Sequence, residues 1–386
     1  MNITFDAQPL IDNQKTGVGF CEAGIVSALL HSHKGREYAL DYFSFQHGKD
    51  KEMRLKSFIH ESCVLNPCAW FPGTLYRAIW NFIPIPYRCF FGKKAHVTHF
   101  FNYHVPPGVH GKKVATVHDM GYKVFPETVR LKTKIMLNLS LNRSCKRADK
   151  LITDSEFSKQ EIMRFLKIEP DKIVVVPCGV DTANFYPITD NARIQIVKQS
   201  NKIYGDYFLY LGTLEPRKNI ERLIEAYAVL KQDKPDAPAL VLAGRKGWLY
   251  ETIFERVTAL GLINDVIFTG YVTDEDAPIL LSGALAFVFP SLYEGFGMPP
   301  LEAMACGTPV LTSNCSSLPE VVGDAAILVD PYSVEEIRQG MQHLMEDEVL
   351  RQELSAKGLA RAKEFTWERS ADIVMSVYKE LVGQDE

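Results

Sequence analysis

Short apolar runs rich in β-branched and aromatic residues alternate along this chain with longer amphipathic segments. Runs of four to eight such residues indicate buried strands, whereas apolar residues spaced by three and four indicate helices. The pattern predicts strands at 2–10, 38–45, 96–103, 114–119, 150–155 and 172–178, and again at 207–214, 239–244, 266–270, 284–291 and 309–313. Helices are predicted at 19–31, 128–147, 155–167 and 220–230, and from residue 333 to the end.

Alternation of strand and helix predicts parallel sheets with helices on both faces. The alternation occurs in two successive series, and 386 residues exceed what one compact core holds. We therefore predict an α/β protein of two doubly wound, Rossmann-like domains. The polar stretch 181–205 separates the series, so we place the domains at 1–185 and 186–366. The pattern leaves open which domain the last helical segment, 367–386, packs against.

Composition narrows the class of protein. Hydrophobic residues make up 46% of the chain, which excludes disorder, and a net charge of −4 gives no reason to expect nucleic acid as a partner. The eight cysteines have no regular spacing, so we expect them to be reduced and mostly in the core.

Neither a secretory signal nor a membrane-spanning helix is predicted. Asp6 interrupts the apolar run that a signal peptide would need, and the three uncharged stretches of 17 residues all contain prolines. We expect a cytoplasmic protein, attached at most to the inner face of the cell membrane.

Charge is unevenly distributed. Residues 86–150 contain 13 Lys plus Arg against three acidic residues, an excess of +10 that leaves −14 for the rest of the chain. Aromatic and aliphatic residues are interleaved nearby, at 80–94 and 128–147. The segment 80–150 is either a solvated basic face or a surface for anionic lipid or a phosphate-bearing acceptor.

Ligands of doubly wound domains bind beyond the carboxyl ends of the strands, so the loops there are the candidate sites. After the first predicted strand, the motif TGVG (16–19) opens a helix; it is either a tight turn or a backbone that approaches an anion. After the strand at 207–214, Arg217 and Lys218 precede a helix for which Asn219 is the predicted N-cap. Two cations at a positive helix end repel one another unless an anion such as a diphosphate binds there.

A second loop combines two carboxylates with a helix start. Glu294 follows the strand at 284–291, Gly297 permits a turn, Pro299 suits a first helical turn, and Glu302 lies about one turn inside the helix. Ionised carboxylates accept hydrogen bonds from hydroxyl groups, and the amides of 296–298 would point at the same ligand. The alternative is a pair of carboxylates that only stabilise the helix end.

In the first half, His118 and Asp119 end a predicted buried strand, where they are either functional or a satisfied structural pair. No Ser-His-Asp, HExxH or P-loop arrangement is present. The acidic pair Asp274 and Asp276 is better explained by helix capping than by metal binding.

Five segments together resemble glycosyltransferase family 4, whose members have the GT-B fold: TVHDMGYKVFPE, TDSEFSKQEI, VPCGVD, GTLEPRKNIERLIEAY and SLYEGFGMPPLEAMACGTPVLTS with LPEVVGDAAILVDP. The resemblance covers nearly the whole chain, and Glu294 and Glu302 match the paired glutamates of that family. It implies a retaining transferase that uses a nucleotide-diphosphate sugar in a cleft between two domains. It also implies that the last helix returns to the amino-terminal domain.

The resemblance implies a role for each candidate residue. Arg217 and Lys218 would hold the donor diphosphate, Glu294 the sugar hydroxyls and Glu302 the ribose, while His118 would contact the sugar from the other domain. The remaining donor contacts would be Gly17, Gly212, Tyr271, Val272, Phe296, Gly297 and Met298. The two cations would replace a metal, so no metal or other cofactor is expected. The third glycine that many relatives have in the TGVG loop is absent here.

Similarity of the region HDMGYKVFPE to bacterial mannosyltransferases of polysaccharide assembly implies GDP-mannose as donor and a glycan or lipid-linked oligosaccharide as acceptor. A UDP- or dTDP-sugar donor, a GT-B sugar-nucleotide epimerase or phosphorylase, and a non-catalytic two-lobed sugar-nucleotide-binding protein are the alternatives. Transfer with retention would proceed on the front face of the sugar, where the departing diphosphate takes the acceptor proton.

Overall fold

The structure, a computed structural model, describes residues 1–12, 17–58, 62–80, 82–247 and 249–383. The chain forms two compact units: residues 1–179 with 366–386, and residues 180–365. The boundary lies six residues before the predicted one, because the N–H of Val180 already donates to the carbonyl of Phe365, 3.0 Å away in the second unit.

In unit 1 the described residues form a parallel sheet in the order β3-β2-β1-β4-β5-β6-β7. Its strands are β1 (Asn2–Asp6), β2 (Glu37–Phe43), β3 (Cys63–Cys68), β4 (Val97–Phe100), β5 (Lys112–Thr116), β6 (Lys150–Thr153) and β7 (Ile173–Val175). Its helices before the crossing to unit 2 are α1 (Gly17–Ser32), α2 (Gly48–Leu55), α3 (Gly73–Ile79), α4 (Gly121–Val124), α5 (Leu131–Arg147) and α6 (Glu156–Leu166). Short 3₁₀ turns lie at Lys56–Phe58, Tyr87–Cys89, Pro126–Thr128 and Pro170–Lys172.

In unit 2 a second parallel sheet has the order β10-β9-β8-β11-β12-β13. Its strands are β8 (Tyr207–Leu211), β9 (Ala239–Ala243), β10 (Val266–Gly270), β11 (Ala286–Phe289), β12 (Val310–Ser313) and β13 (Ala326–Val329). Its helices are α7 (Asn191–Ser200), α8 (Ile220–Asp233), α9 (Glu251–Ala259), α10 (Ala277–Ser282), α11 (Met298–Ala305), α12 (Leu318–Val322), α13 (Val334–Glu346) and α14 (Glu348–Ala362), with a 3₁₀ turn at Pro216–Lys218. The prediction of two Rossmann-like domains is confirmed.

Two strands of the structure were not predicted, β3 and β13, and each forms one edge of its sheet. The sequence of β3, CVLNPC, contains a proline, which is tolerated at a sheet edge because an edge strand pairs on one side only. Strand β13 has four residues, of which only Val329 is buried. The sequence of β3 therefore lacks the continuous apolar run that marks a central parallel strand, whereas β13, AILV, is such a run of four residues.

Each sheet has one position where the strand order reverses, and loops on its two sides diverge there to leave a crevice. In unit 1 this switch point lies between β1 and β4, and in unit 2 it lies between β8 and β11. The predicted strand over 2–10 ends at Asp6 because residues 8–10 form a turn, which places Gln8 beside the switch point of unit 1.

The last helix, α15 (Trp367–Val382), packs on unit 1 against α1 and β4. The Tyr378 hydroxyl lies 2.6 Å from Nδ1 of His99, and the Ser370 hydroxyl donates to the carbonyl of Pro177 at 2.6 Å. A Cβ on Gly24 of α1 would lie 2.3 Å from the Trp367 ring, so glycine is required for this approach. The tail therefore belongs to the amino-terminal unit.

All eight cysteines are free and six are buried, as composition predicted. Across the part of the chain that the structure describes, no helix is both long and apolar enough to cross a membrane.

Candidate functional site in the carboxy-terminal unit

The switch point of unit 2 brings together the two loops that the sequence singled out. Arg217 and Lys218 follow β8, and Glu294 follows β11. Nζ of Lys218 lies 2.6 Å from Oε1 of Glu294, and Nη1 of Arg217 lies 3.2 Å from Oε2. Nη2 of Arg217 lies 3.0 Å from the Glu215 carboxylate. The structure thus assembles the three residues predicted to hold the diphosphate and the sugar.

These charges neutralise one another. The anion expected to separate Arg217 and Lys218 is supplied in the structure by Glu294 and Glu215 rather than by a ligand. Burial opposes ionisation of Glu294, but Lys218 and Arg217 outweigh it and lower the pKa of Glu294 to about 2. Burial lowers the pKa of Lys218, against the opposing effect of Glu294. An arriving diphosphate would have to compete with Glu294 for both cations.

Glu294 keeps some capacity to bind a hydroxyl group. A carboxylate has about four acceptor positions. Oε1 of Glu294 accepts hydrogen bonds from Lys218 and from the Ser291 hydroxyl, both at 2.6 Å. Among the described residues, Oε2 accepts a hydrogen bond only from Arg217. One position on Oε2 therefore remains for a ligand.

Asn219 is the N-cap residue of α8, as predicted, but its side chain makes no capping hydrogen bond. Its backbone is left-handed, with φ of 61°, and its amide Nδ2 donates to the carbonyls of Pro290 and Pro331 at 3.0 and 2.6 Å. The side chain therefore ties the loop after β8 to the loops after β11 and β13, and it satisfies both buried carbonyls.

The start of α11 has the geometry that the prolines predicted. Gly297 precedes the helix with φ of 118°, and Pro299 lies in its first turn. The Ser317 hydroxyl lies 2.6 Å from the carbonyl of Phe296 and 2.9 Å from that of Glu294, which fixes this loop. The backbone amides of Phe296, Gly297 and Met298 donate no hydrogen bond to any of the described residues. These amides are free at a positive helix end, which favours an anion or a hydroxyl oxygen.

Glu302 is the fifth residue of α11 and is half-buried. Burial, with Asp274 and Asp181 nearby, raises the pKa of Glu302 to about 8. The raised pKa favours the protonated side chain near neutral pH, whereas the predicted role of Glu302 as an acceptor for ribose hydroxyls suits the ionised form. Asp276 begins α10 without a side-chain cap, so the predicted capping role is wrong for that residue.

The remaining predicted donor contacts lie on neighbouring strand ends. Gly212 directly follows β8, and its carbonyl oxygen would lie 1.8 Å from a Cβ placed on Gly244. Tyr271 directly follows β10, is 58% exposed, and lies under the Arg245 guanidinium, while Val272 is buried. An exposed aromatic ring beside a cation is a surface on which a base can stack.

In unit 1 the structure pairs His118 with Asp154 rather than with its sequence neighbour. Nδ1 of His118 lies 2.7 Å from Oδ2 of Asp154, and Nε2 lies 3.1 Å from the carbonyl of Phe101. Burial opposes the charged form, but Asp154 outweighs it and raises the pKa of His118 to about 10. Asp119 accepts instead from the amide of Gly121, at 2.8 Å. Asp154 was missed, although it follows β6 as His118 follows the adjacent β5.

The other predicted element of unit 1 is the TGVG loop. Thr16 lies outside the described residues. Gly17 is the first residue of α1, and a Cβ there would meet no atom within 4 Å. Packing within the described protein therefore does not require glycine at this position.

The described residues contain one group that could hold a metal ion: Cys21, His118 and Asp154, whose ligating atoms lie within 4.8 Å of one another. The proton on Nδ1 of His118 already binds Asp154, so a metal would have to displace it. We assign no ion to this group.

Comparison with known proteins agrees with this geometry. The family described as Glycosyltransferase Family 4 matches residues 30–184, and the family Glycosyl transferases group 1 matches residues 193–361. The chain is 36% identical over 291 residues to the O-antigen chain mannosyltransferase B of Escherichia coli, an alignment that covers 75% of each protein. The chain belongs to glycosyltransferase family 4.

Further relatives and solved structures are similar to this chain. The chain is 37% identical over 239 residues to the serotype-specific mannosyltransferase WbdA of Escherichia coli; the alignment covers 61% of this chain and 29% of WbdA. The sucrose-phosphate synthase structure from Thermosynechococcus elongatus has a TM-score of 0.77 at 22% identity and covers 99% of each chain. The WaaG structure, a glycosyltransferase of lipopolysaccharide biosynthesis, has a TM-score of 0.71 at 16% identity and covers 99% of this chain and 100% of that one. The fold is GT-B, and this family 4 member is a glycosyltransferase.

Proposed function

We propose that this glycosyltransferase transfers α-mannose from GDP-mannose, with retention of configuration, to a glycan or lipid-linked oligosaccharide in polysaccharide assembly. The observation that carries the transfer chemistry is the contact of Glu294 with Arg217 and Lys218 beside the free amides at the start of α11. The choice of mannose is supported by the names of the two Escherichia coli relatives.

In the proposed reaction the bond between the anomeric carbon and the diphosphate breaks, and negative charge develops on the leaving phosphate. Arg217 and Lys218 stabilise that charge as the diphosphate displaces Glu294 from them, which is electrostatic stabilisation of the transition state. The acceptor hydroxyl attacks from the face that the diphosphate leaves, and the diphosphate takes its proton. The new bond therefore keeps the α configuration.

Glu294, partly released from its cations, accepts a hydrogen bond from a sugar hydroxyl on Oε2. The amides of 296–298 donate hydrogen bonds to the sugar nucleotide. Glu302 accepts hydrogen bonds from the ribose hydroxyls. His118 is proposed to contact the donor sugar, which requires its Nε2–H to leave the carbonyl of Phe101. Two side-chain cations at the diphosphate supply the positive charge for which other transferases use a metal, so the proposed reaction requires none.

The donor is tested by thermal shift with GDP, UDP, dTDP and ADP, because a ligand that binds only the folded state raises the melting temperature. We expect GDP to give the largest shift. A larger shift with UDP or dTDP would replace the proposed donor with a sugar carried on that nucleotide.

The reaction is tested with GDP-mannose and octyl α-mannoside, with proton NMR of the product linkage. An α linkage supports retention, and a β linkage would contradict it. Change of the free donor without any acceptor would indicate an epimerase, and binding without turnover across donors and acceptors would indicate a binding protein.

We further propose that unit 1 contacts an anionic membrane at the cytoplasmic face. Leu131, Ile135 and Leu139 lie one helical turn apart on α5 and are 71%, 51% and 41% exposed, with Lys132 and Lys134 between them. An exposed apolar row beside lysines fits the boundary between head groups and acyl chains of anionic lipid.

Flotation with vesicles that contain phosphatidylglycerol, compared with vesicles of phosphatidylcholine alone, tests this surface. We expect Ile135→Ser to reduce binding to the anionic vesicles several-fold. Ile196→Ser, at a residue 66% exposed on α7 of unit 2, is the matched control and should leave binding unchanged. Equal loss in both variants would remove the assignment to α5.

A further inference from the structure

Two cysteines of unit 1 are in contact although they lie 157 residues apart, since Sγ of Cys178 donates to Sγ of Cys21 at 3.7 Å. Cys21 is the fifth residue of α1, Cys178 is the third residue after β7, and each is 2% exposed. No other two cysteines among the described residues form a hydrogen bond between their sulfurs. No step of the proposed reaction uses either thiol.

The backbone on both sides of this contact is held by α15. The carbonyl of Pro177 accepts from the Ser370 hydroxyl at 2.6 Å. A Cβ on Gly179 would lie 2.4 Å from the backbone nitrogen of Trp367, and a Cβ on Gly24 of α1 would lie 2.3 Å from the Trp367 ring. Both segments therefore pack closely against the start of the same helix, which keeps the two sulfurs side by side.

The surroundings of the two thiols are polar and charged, unlike those of a cysteine that only fills space in a core. The ligating atoms of Cys21, His118 and Asp154 lie within 4.8 Å of one another. Burial opposes the charged form of His118, but Asp154 and, to a smaller extent, Cys21 raise the pKa of His118 to about 10. A positively charged imidazole beside a cysteine favours the thiolate, which is the form that reacts with oxidants.

The thiol of Cys178 keeps its proton. The hydrogen bond to Cys21, burial and the nearby Asp154 raise the pKa of Cys178 well above its usual range. A protonated thiol in contact with an oxidised cysteine is placed to attack it, and the product of that attack is a disulfide.

A small oxidant can approach the pair from the side of His118, whose side chain is 16% exposed. A disulfide bond is about 2.05 Å long, so the two sulfurs would approach one another by about 1.7 Å from their separation of 3.7 Å. Because the backbone is held by α15, this movement falls mainly on the two side chains. The sulfur of Cys21 would therefore shift within the group that it forms with His118 and Asp154.

We propose that Cys21 and Cys178 are a site of reversible oxidation, at which a peroxide forms a disulfide that lowers glycosyl transfer by disturbing the pair of His118 and Asp154. Formation of the disulfide is independent of the proposed function. The effect on transfer rests on the proposed function, in which His118 contacts the donor sugar. The competing explanation is that the two thiols are packing groups.

The oxidation proceeds in two steps. The thiolate of Cys21 attacks one oxygen of hydrogen peroxide, the O–O bond breaks, and the hydroxide that leaves takes up the proton lost by Cys21, which gives a sulfenic acid and water. The thiol of Cys178 then attacks the sulfenic sulfur, the S–O bond breaks, and the hydroxyl group leaves as a second water with the proton of Cys178. The two sulfurs lose two electrons and the peroxide gains them.

Peptide mapping by mass spectrometry tests the disulfide in the full chain. Every protein carries Cys89→Ser, because Cys89 is exposed and would link separate molecules. After treatment with hydrogen peroxide we expect the peptides of Cys21 and Cys178 to be joined with the loss of two hydrogens, and dithiothreitol should separate them. Cys178→Ala should lose this cross-link. Cys145→Ala is the matched control, because Cys145 is another buried cysteine of unit 1, and it should keep the cross-link.

Transfer to octyl α-mannoside measures the consequence. The oxidised protein should transfer about tenfold more slowly, because a displacement of about 1 Å beside a substrate contact is costly, and dithiothreitol should restore the rate. Cys21→Ala has no sulfur beside His118 and should keep its own rate after treatment with peroxide. GDP should raise the melting temperature of the oxidised and reduced proteins equally, because the cations proposed to bind it, Arg217 and Lys218, lie in unit 2.

Circular dichroism verifies that each variant is folded. If Cys178→Ala is unstable, Cys178→Ser serves in its place, since it keeps a donor toward Cys21. Absence of the cross-link, a cross-link that leaves the rate unchanged, or an equal loss of rate in Cys21→Ala would overturn the proposal. The metal content of the purified protein is also measured, and zinc bound at this site that prevents the oxidation would overturn the proposal as well.

Failure of the proposed function is distinguishable, because the cross-link is detected without any substrate. A cross-link between Cys21 and Cys178, together with no transfer from GDP-mannose by the reduced protein, would keep the oxidation site and reject the proposed reaction. The effect on rate would then be measured with the nucleotide sugar that the reduced protein uses. Transfer from GDP-mannose without a cross-link after peroxide treatment would do the reverse.

Discussion

The two switch points lie at equivalent places in two similar sheets, yet they treat buried carboxyl groups in opposite ways. In unit 2, Lys218 and Arg217 hold the pKa of Glu294 at about 2 despite burial. In unit 1, burial raises the pKa of Asp6 to about 6 and that of Asp41 to about 8, although Asn66 hydrogen-bonds to Asp41. The topology places both groups, and the neighbouring cations decide whether they are charged.

This difference bears on what each switch point can bind. A site with two cations and two carboxylates can exchange one anion for another, which suits a diphosphate. At the switch point of unit 1, burial rather than an ion pair dominates the pKa of Asp6. The following changes test the contrast, from the largest expected effect to the smallest.

Lys218→Ala should lower kcat by about 10²- to 10³-fold, because it removes a cation from the developing charge of the leaving diphosphate. Transfer from GDP-mannose to octyl α-mannoside is the measurement, with circular dichroism to verify folding. Lys231→Ala is the control, because Lys231 lies in α8, the helix that follows β8, and also forms an ion pair, with Asp265 at 3.0 Å. Near-normal turnover of folded Lys218→Ala would reject the diphosphate assignment.

Glu294→Gln should lower transfer by about 10²-fold and leave the affinity for GDP equal or higher. The carboxylate competes with the diphosphate for Lys218 and Arg217, so neutralising it frees both cations. Isothermal titration with GDP and steady-state kinetics measure the two effects. If GDP affinity collapses while transfer of bound donor persists, Glu294 serves the nucleotide and its role is exchanged with that of Glu302.

GDP affinity should rise by several-fold between pH 6 and pH 9, because the pKa of Glu302 is raised to about 8 and its ionised form is the better acceptor for ribose hydroxyls. Titrations across that range should be nearly flat in Glu302→Gln. An equal pH dependence in this variant would attribute the change to another group.

Asp41→Asn should change how stability depends on pH. The pKa of Asp41 is raised above its value in the unfolded chain, so the folded state holds a proton that the unfolded state releases, and stability falls as pH rises from about 4 to 8. The variant should lose part of this decline, seen as a shift of a few degrees in the difference between melting temperatures at pH 5 and pH 8. If the stability of Asp41→Asn fell with pH as much as that of the wild-type protein, the carboxyl group of Asp41 would be ionised in unit 1, as that of Glu294 is in unit 2.

Much of the fold was predictable because central strands of parallel sheets are apolar on both faces and therefore read as continuous runs. Strand β3 was missed because Asn66 and Pro67 interrupt its apolar run, whereas β13, AILV, has a short apolar run that was overlooked. The ends of elements were less certain: the run from 2 to 10 reads as one strand, and only the turn at 8–10 places Gln8 in a crevice.

The candidate site was predictable in its members and not in its contacts. Arg217, Lys218 and Glu294 were identified from loops 76 residues apart, but their mutual ion pairs were not, since the loops meet only when β8 and β11 pair. The partner of His118 was predicted as Asp119 and is Asp154, because β5 and β6 are neighbours in the sheet.

The sequence by itself determined the two series of strands and helices, the family, and which loops carry charged residues, because these depend on residue type and local spacing. The tertiary structure decided which of those charges are paired, which carboxyl groups are neutral, and where unpaired polar atoms lie. Those properties depend on distances between strand ends far apart in the chain and on the exclusion of water around them. For that reason the pKa of Glu294, after β11, is lowered, whereas the pKa of Asp6, at the end of β1, is raised.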